Sequence, residues 1–432
     1  MLKPIIASLW VFLLCLTHVY SYDIVVAKDG SGDVLTVQAA FDKAPLNNVK
    51  PYVIFVKKGT YKQKIRLLAT KKNVSLVGED KLTTVLTFDD WGDKTGVGGT
   101  DNSYSTLIEA DDFYAENITF ENTIDSRISA YTTGGQAVAL MLKGDRTVIH
   151  NCILRGFQDT FYTKGTGRTY VHCTQIEGTT DFIFGAGIAV FDHCTIVSKK
   201  NSYITAAANV SVGNKFNYVF FNCKLTASEG TNSTYLGRPW KLYARVVYVN
   251  CEEGSHIAAA GWADWSSESH SATAYFAEYK CTGTGFKPSS RISWSHQLTD
   301  AEAAGYTIPK IFAANAAVPA YSADWLPSVA GADCNAVILD IAEQPVSTQQ
   351  NAFYYVSSSQ NSVHFFCNQA LSSGVLVIFN IQGVRVLEQT VTMFPGENNL
   401  IVPLDRLSSG MYTYEILGGE RLTRGKFMLQ KD

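Results

Sequence analysis

Apolar and polar positions in this chain alternate over short runs, and the runs recur at a nearly fixed spacing. TVIHNCILRG (147–156), TYVHCTQIEG (169–178) and AVFDHCTIVS (189–198) are three such runs in succession. FYAENITFEN (113–122) precedes them. NYVFFNCKLTA (217–227), RVVYVNCEEGS (245–255) and AYFAEYKCTG (274–283) follow. Alternation rich in β-branched and aromatic side chains predicts half-buried strands. A recurring strand unit with Gly and Asn between its runs predicts a parallel β-helix, each unit forming one coil. Cys152, Cys173, Cys194, Cys223, Cys251 and Cys281 recur at intervals of 21 to 30 residues. That spacing places them at one inward position per coil, where a thiol behaves as a small hydrophobe.

The flanks depart from the repeat. TVQAAFDKA (36–44) has helical spacing, with Thr36 as N-cap and Pro45 as stop. Such a helix closes the open end of a β-helix, whose edge strand would otherwise recruit other chains. TFDDWGDKTGVGGTDNSYST (87–106) is polar and Gly-rich and reads as a loop over one face. The repeat stops near Leu326. Residues 329–350 read as a linker, and 351–432 as a small antiparallel β-sandwich. That sandwich includes a hairpin over 375–393 that turns at Gln382-Gly383. The expected fold is all-β: a parallel β-helix over 22–328, then the sandwich.

Polar residues share the coil period. Gln136 and Gln158 are 22 residues apart, and so are Asp159 and Asp181. Residues one coil apart stack at roughly 4.8 Å, the spacing of neighbouring strands. Two carboxyls that close do not ionise together readily, so one pKa rises. A raised acid beside an ionised one can supply an acid/base and a nucleophile. The plain alternative is a polar ladder on the helix face. It suits the glutamines alone better than the aspartates, because an unpaired carboxylate ladder is destabilising. Downstream, Arg238 lies beside Pro239 and Trp240. Arg can hold a carboxylate with two bonds, and Trp offers a flat platform for a sugar ring. Trp262, Trp265 and Trp294 read equally as core or as substrate wall. Gln158 and Asp159 are adjacent, so both reach one cleft only if the backbone bends there.

A net charge of −3 over 432 residues gives no electrostatic case for nucleic acid. Hydrophobic content of 46% and charged content of 17% describe a folded chain. Met1–Ser21 reads as a signal peptide, with Lys3 before an apolar core and Tyr22 as the mature start. Eight cysteines remain after it, and the repeat argues for mostly free, buried thiols, with Cys334 and Cys367 undetermined. No CxxC or HxxxH spacing appears, so no metal is expected. The eight histidines show no paired spacing and read as structural or solvated. Nothing in the sequence calls for more than a monomer.

GGQAVAL (134–140), GFQDTFY (156–162), DFIFG (181–185) and LGRPW (236–240) resemble the signature motifs of pectin methylesterases. DGSGDVLTVQAAFDKAP (29–45) resembles that family's N-terminal segment. Four motifs in order are far more specific than one. The resemblance implies a right-handed parallel β-helix and hydrolysis of galacturonate methyl esters in pectin, without a cofactor. By that resemblance Asp181 is the nucleophile and Asp159 the general acid and then base. Gln136 and Gln158 stabilise the oxyanion, and Arg238 pairs with Asp181. Thr106, Gln136, Tyr162, Phe184, Arg238 and Trp240 contact substrate. Two positions depart from the family pattern: Gln63 replaces an acid, read as structural, and Phe161 replaces Leu. The C-terminal unit resembles the sorting domain of the type IX secretion system, which implies a secreted or cell-surface protein and contact with secretion machinery. A spacer or carbohydrate-binding sandwich is the alternative there. For the β-helix the alternatives are a pectate lyase or polygalacturonase, or a non-catalytic carbohydrate-binding solenoid. Fold alone does not choose among these.

Overall fold

The computed structural model describes residues 22–315, 323–327, 329 and 334, and seven strands between 353 and 429. The predicted signal peptide 1–21, most of the predicted 329–350 linker and the predicted Gln382-Gly383 turn lie outside the described residues, as does the side chain of Cys367. The chain divides into two units, Met1–Pro327 and Ser328–Asp432.

Among the described residues of the first unit, three parallel sheets of 11, 8 and 7 strands run along the coil stack. One coil reads Thr147–His150, Ile153–Arg155, Phe161–Thr163, one strand in each sheet. The next reads Arg168–His172, Gln175–Gly178, Ile183–Gly185. Inward residues stack coil upon coil. Phe191, Phe220 and Tyr248 form one such column, with ring centroids 4.3 Å apart at each step. Column packing of this kind makes the repeat self-propagating, since each coil buries the face of its neighbour.

From the strand Tyr114–Glu116 onward, the corner after the first strand of each coil contains one non-glycine residue with positive φ. Asn117, Asn151, Cys173, His193, Asn222, Asn250 and Lys280 occupy it, at φ 47° to 58°. Asn tolerates this conformation best among residues with a Cβ, which explains its recurrence. Cys173 therefore does not belong to the thiol column. Thr174 stands there instead, its hydroxyl accepting from the Cys152 amide at 3.2 Å. The column holds Cys152, Cys194, Cys223, Cys251 and Cys281, all free and buried, while Cys173 is disulfide-bonded. The histidine expectation also needs correction. His150 and His172 sit opposite each other on adjacent coils, rings 5.2 Å apart and Nδ1 to Nδ1 3.1 Å. Their spacing is the coil period, and burial lowers both pKa values, His150 to about 4.

The helix Val37–Lys43 follows the predicted cap, with the Thr36 hydroxyl accepting from Ala39 N–H at 3.2 Å. Gln63 accepts from Gln38 N–H at 3.2 Å in the first turn of that helix. A neutral amide does this work, so Gln63 is tied to the cap.

The second unit contains two antiparallel sheets. One is formed by Phe353–Ser359, Ser362–Cys367 and Gly396–Ile401. The other orders Arg385–Met393, Leu371–Phe379, Gly410–Gly418 and Arg421–Leu429. The predicted hairpin is the pairing of Leu371–Phe379 with Arg385–Met393.

Candidate active site

The site is built on the outer face of the 7-stranded sheet. Strand partners there run Ile65, Thr106, Leu140, Phe161, Ile183, Thr205 in one column. The neighbouring column runs Leu107, Met141, Tyr162, Phe184, Ala206, Arg238. Ile65, Leu140, Phe161 and Ile183 belong to the main core, so the first column points inward. The second column faces outward, and Leu107, Met141, Tyr162, Phe184 and Ala206 form a separate cluster with Tyr104, Trp240 and Trp265 against it. Tyr162 and Phe184 stack at 4.1 Å, and Trp240 tilts beside Phe184 at 6.1 Å. This apolar, aromatic strip covers the outer face of the sheet.

Two carboxyls stand at one end of the strip. Asp159 and Asp181 occupy the corners before the strands Phe161–Thr163 and Ile183–Gly185, one coil apart. Their φ values are 64° and 50°. That left-handed corner supplies the bend that the sequence requires between Gln158 and Asp159. Both aspartates are nearly buried, at 8% and 7% exposure.

Their partners differ. Arg238 holds Asp181 with two bonds, Nε to Oδ1 at 3.0 Å and Nη2 to Oδ2 at 2.6 Å. Ala206 lies between Phe184 and Arg238 in the outward column. Its small side chain leaves Arg238 room to reach back to Asp181. Gly237 is required by close approach, since a Cβ there would lie 2.0 Å from Thr205 Oγ1. The Asp159 carboxyl has no hydrogen-bond partner among the described residues. Burial pushes Asp159 well above the usual carboxylate range, and the charge of Asp181 pushes the same way. Burial raises Asp181 too, but the Arg238 guanidinium opposes it. Asp181 still ends above the ordinary range, but Asp159, with no opposing bond, holds its proton more tightly, and Arg238 favours the anion at Asp181.

A buried acid pair of unequal proton affinity, one member clamped by Arg beside an aromatic strip, has the chemistry to supply a nucleophile and an acid/base partner. Residues 23–315 match the Pectinesterase family. The chain belongs to the pectinesterase family. Pectinesterase 31 of Arabidopsis thaliana is 38% identical over 286 residues, which span 64% of this chain and 88% of that protein. The pectin methylesterase from carrot shares the fold at a TM-score of 0.63 and 30% identity, over 68% of this chain and 93% of that one. A pectin methylesterase solved in complex with hexasaccharide VII aligns at a TM-score of 0.59 and 27% identity, over 72% and 99%. Residues 356–430 match the secretion system C-terminal sorting domain, so this pectinesterase carries a sorting domain after its β-helix.

Most of the expected site residues converge in this pectinesterase chain. Asp159, Asp181, Arg238, Tyr162, Phe184 and Trp240 meet along the strip. Gln136 and Gln158 lie beside it, half-buried, and their side-chain amides have no protein partner among the described residues. The two glutamines stand opposite each other, one coil apart. Gln158 carbonyl accepts from Ala137 N–H at 3.1 Å, as Thr180 carbonyl does from Asp159 N–H on the next coil, and the ladder slips to an offset of 21 only from Leu140 and Phe161 onward. Thr106 requires a correction. It is 0% exposed, in the inward column, and its hydroxyl has no hydrogen-bond partner. A contact on the outer face from that side chain is not available. Trp262 is core, and Trp294 packs against the core.

Three further residues surround the site; of these the sequence singled out only Trp265, as core or substrate wall alike. Tyr203 and Trp265 lie on the Arg238 guanidinium, with ring centroids 4.1 and 4.2 Å from its central carbon. Asn122 is buried, and its side-chain amide donates to the carbonyls of Asp90, Ser103 and Val138. It staples both ends of the Gly-rich loop to the segment beside Gln136. Gly92 N–H completes that link by donating to the Gln136 carbonyl at 2.8 Å.

Proposed function

We propose that Asp181 and Asp159 hydrolyse galacturonate methyl esters of pectin in two steps, the first displacing methanol and the second consuming water. An Asp181 oxygen attacks the ester carbonyl carbon. The oxyanion that forms accepts hydrogen bonds from the amides of Gln136 and Gln158. Collapse breaks the bond to the methoxy oxygen, which takes the Asp159 proton and leaves as methanol. An acyl group now sits on Asp181. Asp159, now a carboxylate, takes a proton from water as the water oxygen attacks the acyl carbon. Asp181 departs as a carboxylate, the galacturonate acid is released, and Asp159 is protonated again. Sugar rings lie over Tyr162, Phe184 and Trp240, whose flat faces suit a pyranose.

The observation that carries this reading is the asymmetry of the pair. One carboxyl is held by Arg238 through two bonds, and its neighbour one coil away is buried without a bond. All proposed groups come from one chain, so the unit acts as a monomer. Met1–Ser21 directs export, and the C-terminal unit then engages the secretion machinery. Asp159→Asn keeps the shape and removes the proton, so methanol release should fall by about 10²–10⁴-fold. Full activity in that variant contradicts the assignment. Deleting residues 345–432 should spare methanol release and stop the protein within the cell envelope; normal export of the truncation contradicts the sorting role.

A further inference from the structure

Arg238 aims the proposed nucleophile, yet a long side chain on the outer face of a sheet has many rotamers. Something must hold it. Its guanidinium carbon lies 4.1 Å from the centroid of Tyr203 and 4.2 Å from that of Trp265. Two rings at contact distance from one guanidinium carbon leave it little room to swing. Tyr203 arrives from the strand Tyr203–Ala207, the rung between Asp181 and Arg238 in the coil order. Trp265 arrives from a loop that belongs to no strand.

That loop is itself fastened. The Asp264 carboxylate accepts from Trp265 N–H at 2.8 Å, His270 N–H at 2.9 Å and the Ser269 hydroxyl at 2.6 Å. Burial alone would raise Asp264, but these bonds outweigh it and bring the carboxyl to about 2. His270, itself buried, places Nδ1 2.9 Å from the Pro239 carbonyl, next to Arg238 in sequence. The loop is thus closed on itself by Asp264 and pinned by His270 to the strand that carries Arg238.

We propose that Trp265 is a positioning residue for the nucleophile: with Tyr203 it clamps the Arg238 guanidinium against Asp181, and Asp264 is the latch that holds Trp265 there. A ring over a guanidinium restrains its plane, and the plane sets whether both Arg238 bonds reach Asp181 together. The clamp rests on the assignment of Asp181 as nucleophile. Charged and titratable groups around it are Asp159 and Asp181 on the neighbouring coils, Tyr203, and Asp264, Glu268 and His270 on the loop.

The test is steady-state methanol release from methyl-esterified pectin by the full chain, across pH. The variants are Trp265→Leu, Trp265→Phe, Asp264→Asn and Asp181→Ala. A loosened Arg238 opposes the burial of Asp181 less well, so the acid limb of the rate profile moves to higher pH. Trp265→Leu should lower kcat on the order of tenfold, with KM within about twofold and the acid limb displaced. Trp265→Phe keeps a ring and should restore both kcat and the limb. Asp264→Asn, nearly isosteric, should repeat the Trp265→Leu pattern more weakly, and it carries the test if Trp265→Leu does not fold. A raised KM with kcat and acid limb unmoved means that Trp265 only carries sugar, and overturns the clamp. Activity in Asp181→Ala overturns the assignment beneath it, a separate and recognisable failure.

Discussion

Replacing Arg238 with Gln removes both bonds to Asp181 at once. In the native arrangement the two side chains are 15% and 10% exposed and 2.6 Å apart at the closest atoms. Breaking a buried, hydrogen-bonded charge pair by removing one partner costs about 3–5 kcal/mol. The lower end applies here because some solvent reaches the pair. If the transition state loses the same amount, about 3 kcal/mol at roughly 1.4 kcal/mol per decade is about a 100-fold loss of kcat/KM. Part of the loss arises because Asp181 takes up a proton. Arg238 opposes the upward push of burial on Asp181, and without it the acid limb must move to higher pH. The rest arises from misalignment of the carboxylate. The assay is methanol release from methylated pectin over a pH series, with kcat and KM separated. Arg238→Gln should lose mostly kcat and shift its acid limb upward. A variant with kcat/KM within about threefold of the parent and an unmoved limb refutes the reasoning that Arg238 works through Asp181.

Two further outcomes follow from burial and charge. Burial holds the Asp159 pKa well above the ordinary carboxylate value of 3.8, so the group stabilises nothing once ionised. Below that ordinary value both states hold the proton; as pH rises through the folded pKa the native state loses stability relative to a neutral residue. Asp159→Asn should therefore melt higher than the parent at neutral pH, with the gain vanishing towards pH 4, as read by thermal denaturation. A gain that is the same at every pH contradicts the raised carboxyl. Thr106→Val replaces a buried hydroxyl that lacks a partner, so it should leave kcat and KM unchanged and stabilise the fold by about 1 kcal/mol. A marked rise in KM would instead restore Thr106 as a substrate contact.

The coil repeat was legible because its signal is periodic and long: alternation, corner Asn residues and a column of thiols all share one spacing. Cys173 misled because it falls near the right interval while occupying the corner, one residue before the inward position taken by Thr174. The aspartate pair was legible for the same periodic reason, and LGRPW pointed to Arg238. The ladder offset of 21 between Leu140 and Phe161 was not legible, since one residue of slippage leaves no trace in composition. Thr106 was misplaced because a motif gives a position, not the face it points to, and in a strand that face alternates with every residue. The Arg238 clamp was invisible for a different reason. Tyr203, Asp264 and Trp265 reach it from separate coils and a loop, and no spacing in the chain encodes where a loop folds back.

The most direct test of the paired-carboxylate account is methanol release from highly methylated pectin, with chain length followed in the same sample, for the parent and for Asp181→Ala. The account predicts methanol without shortening for the parent and no methanol for the variant, which should remain folded because Asp181 stands at one end of the outer strip. Methanol from Asp181→Ala, or shortened chains from the parent, contradicts it.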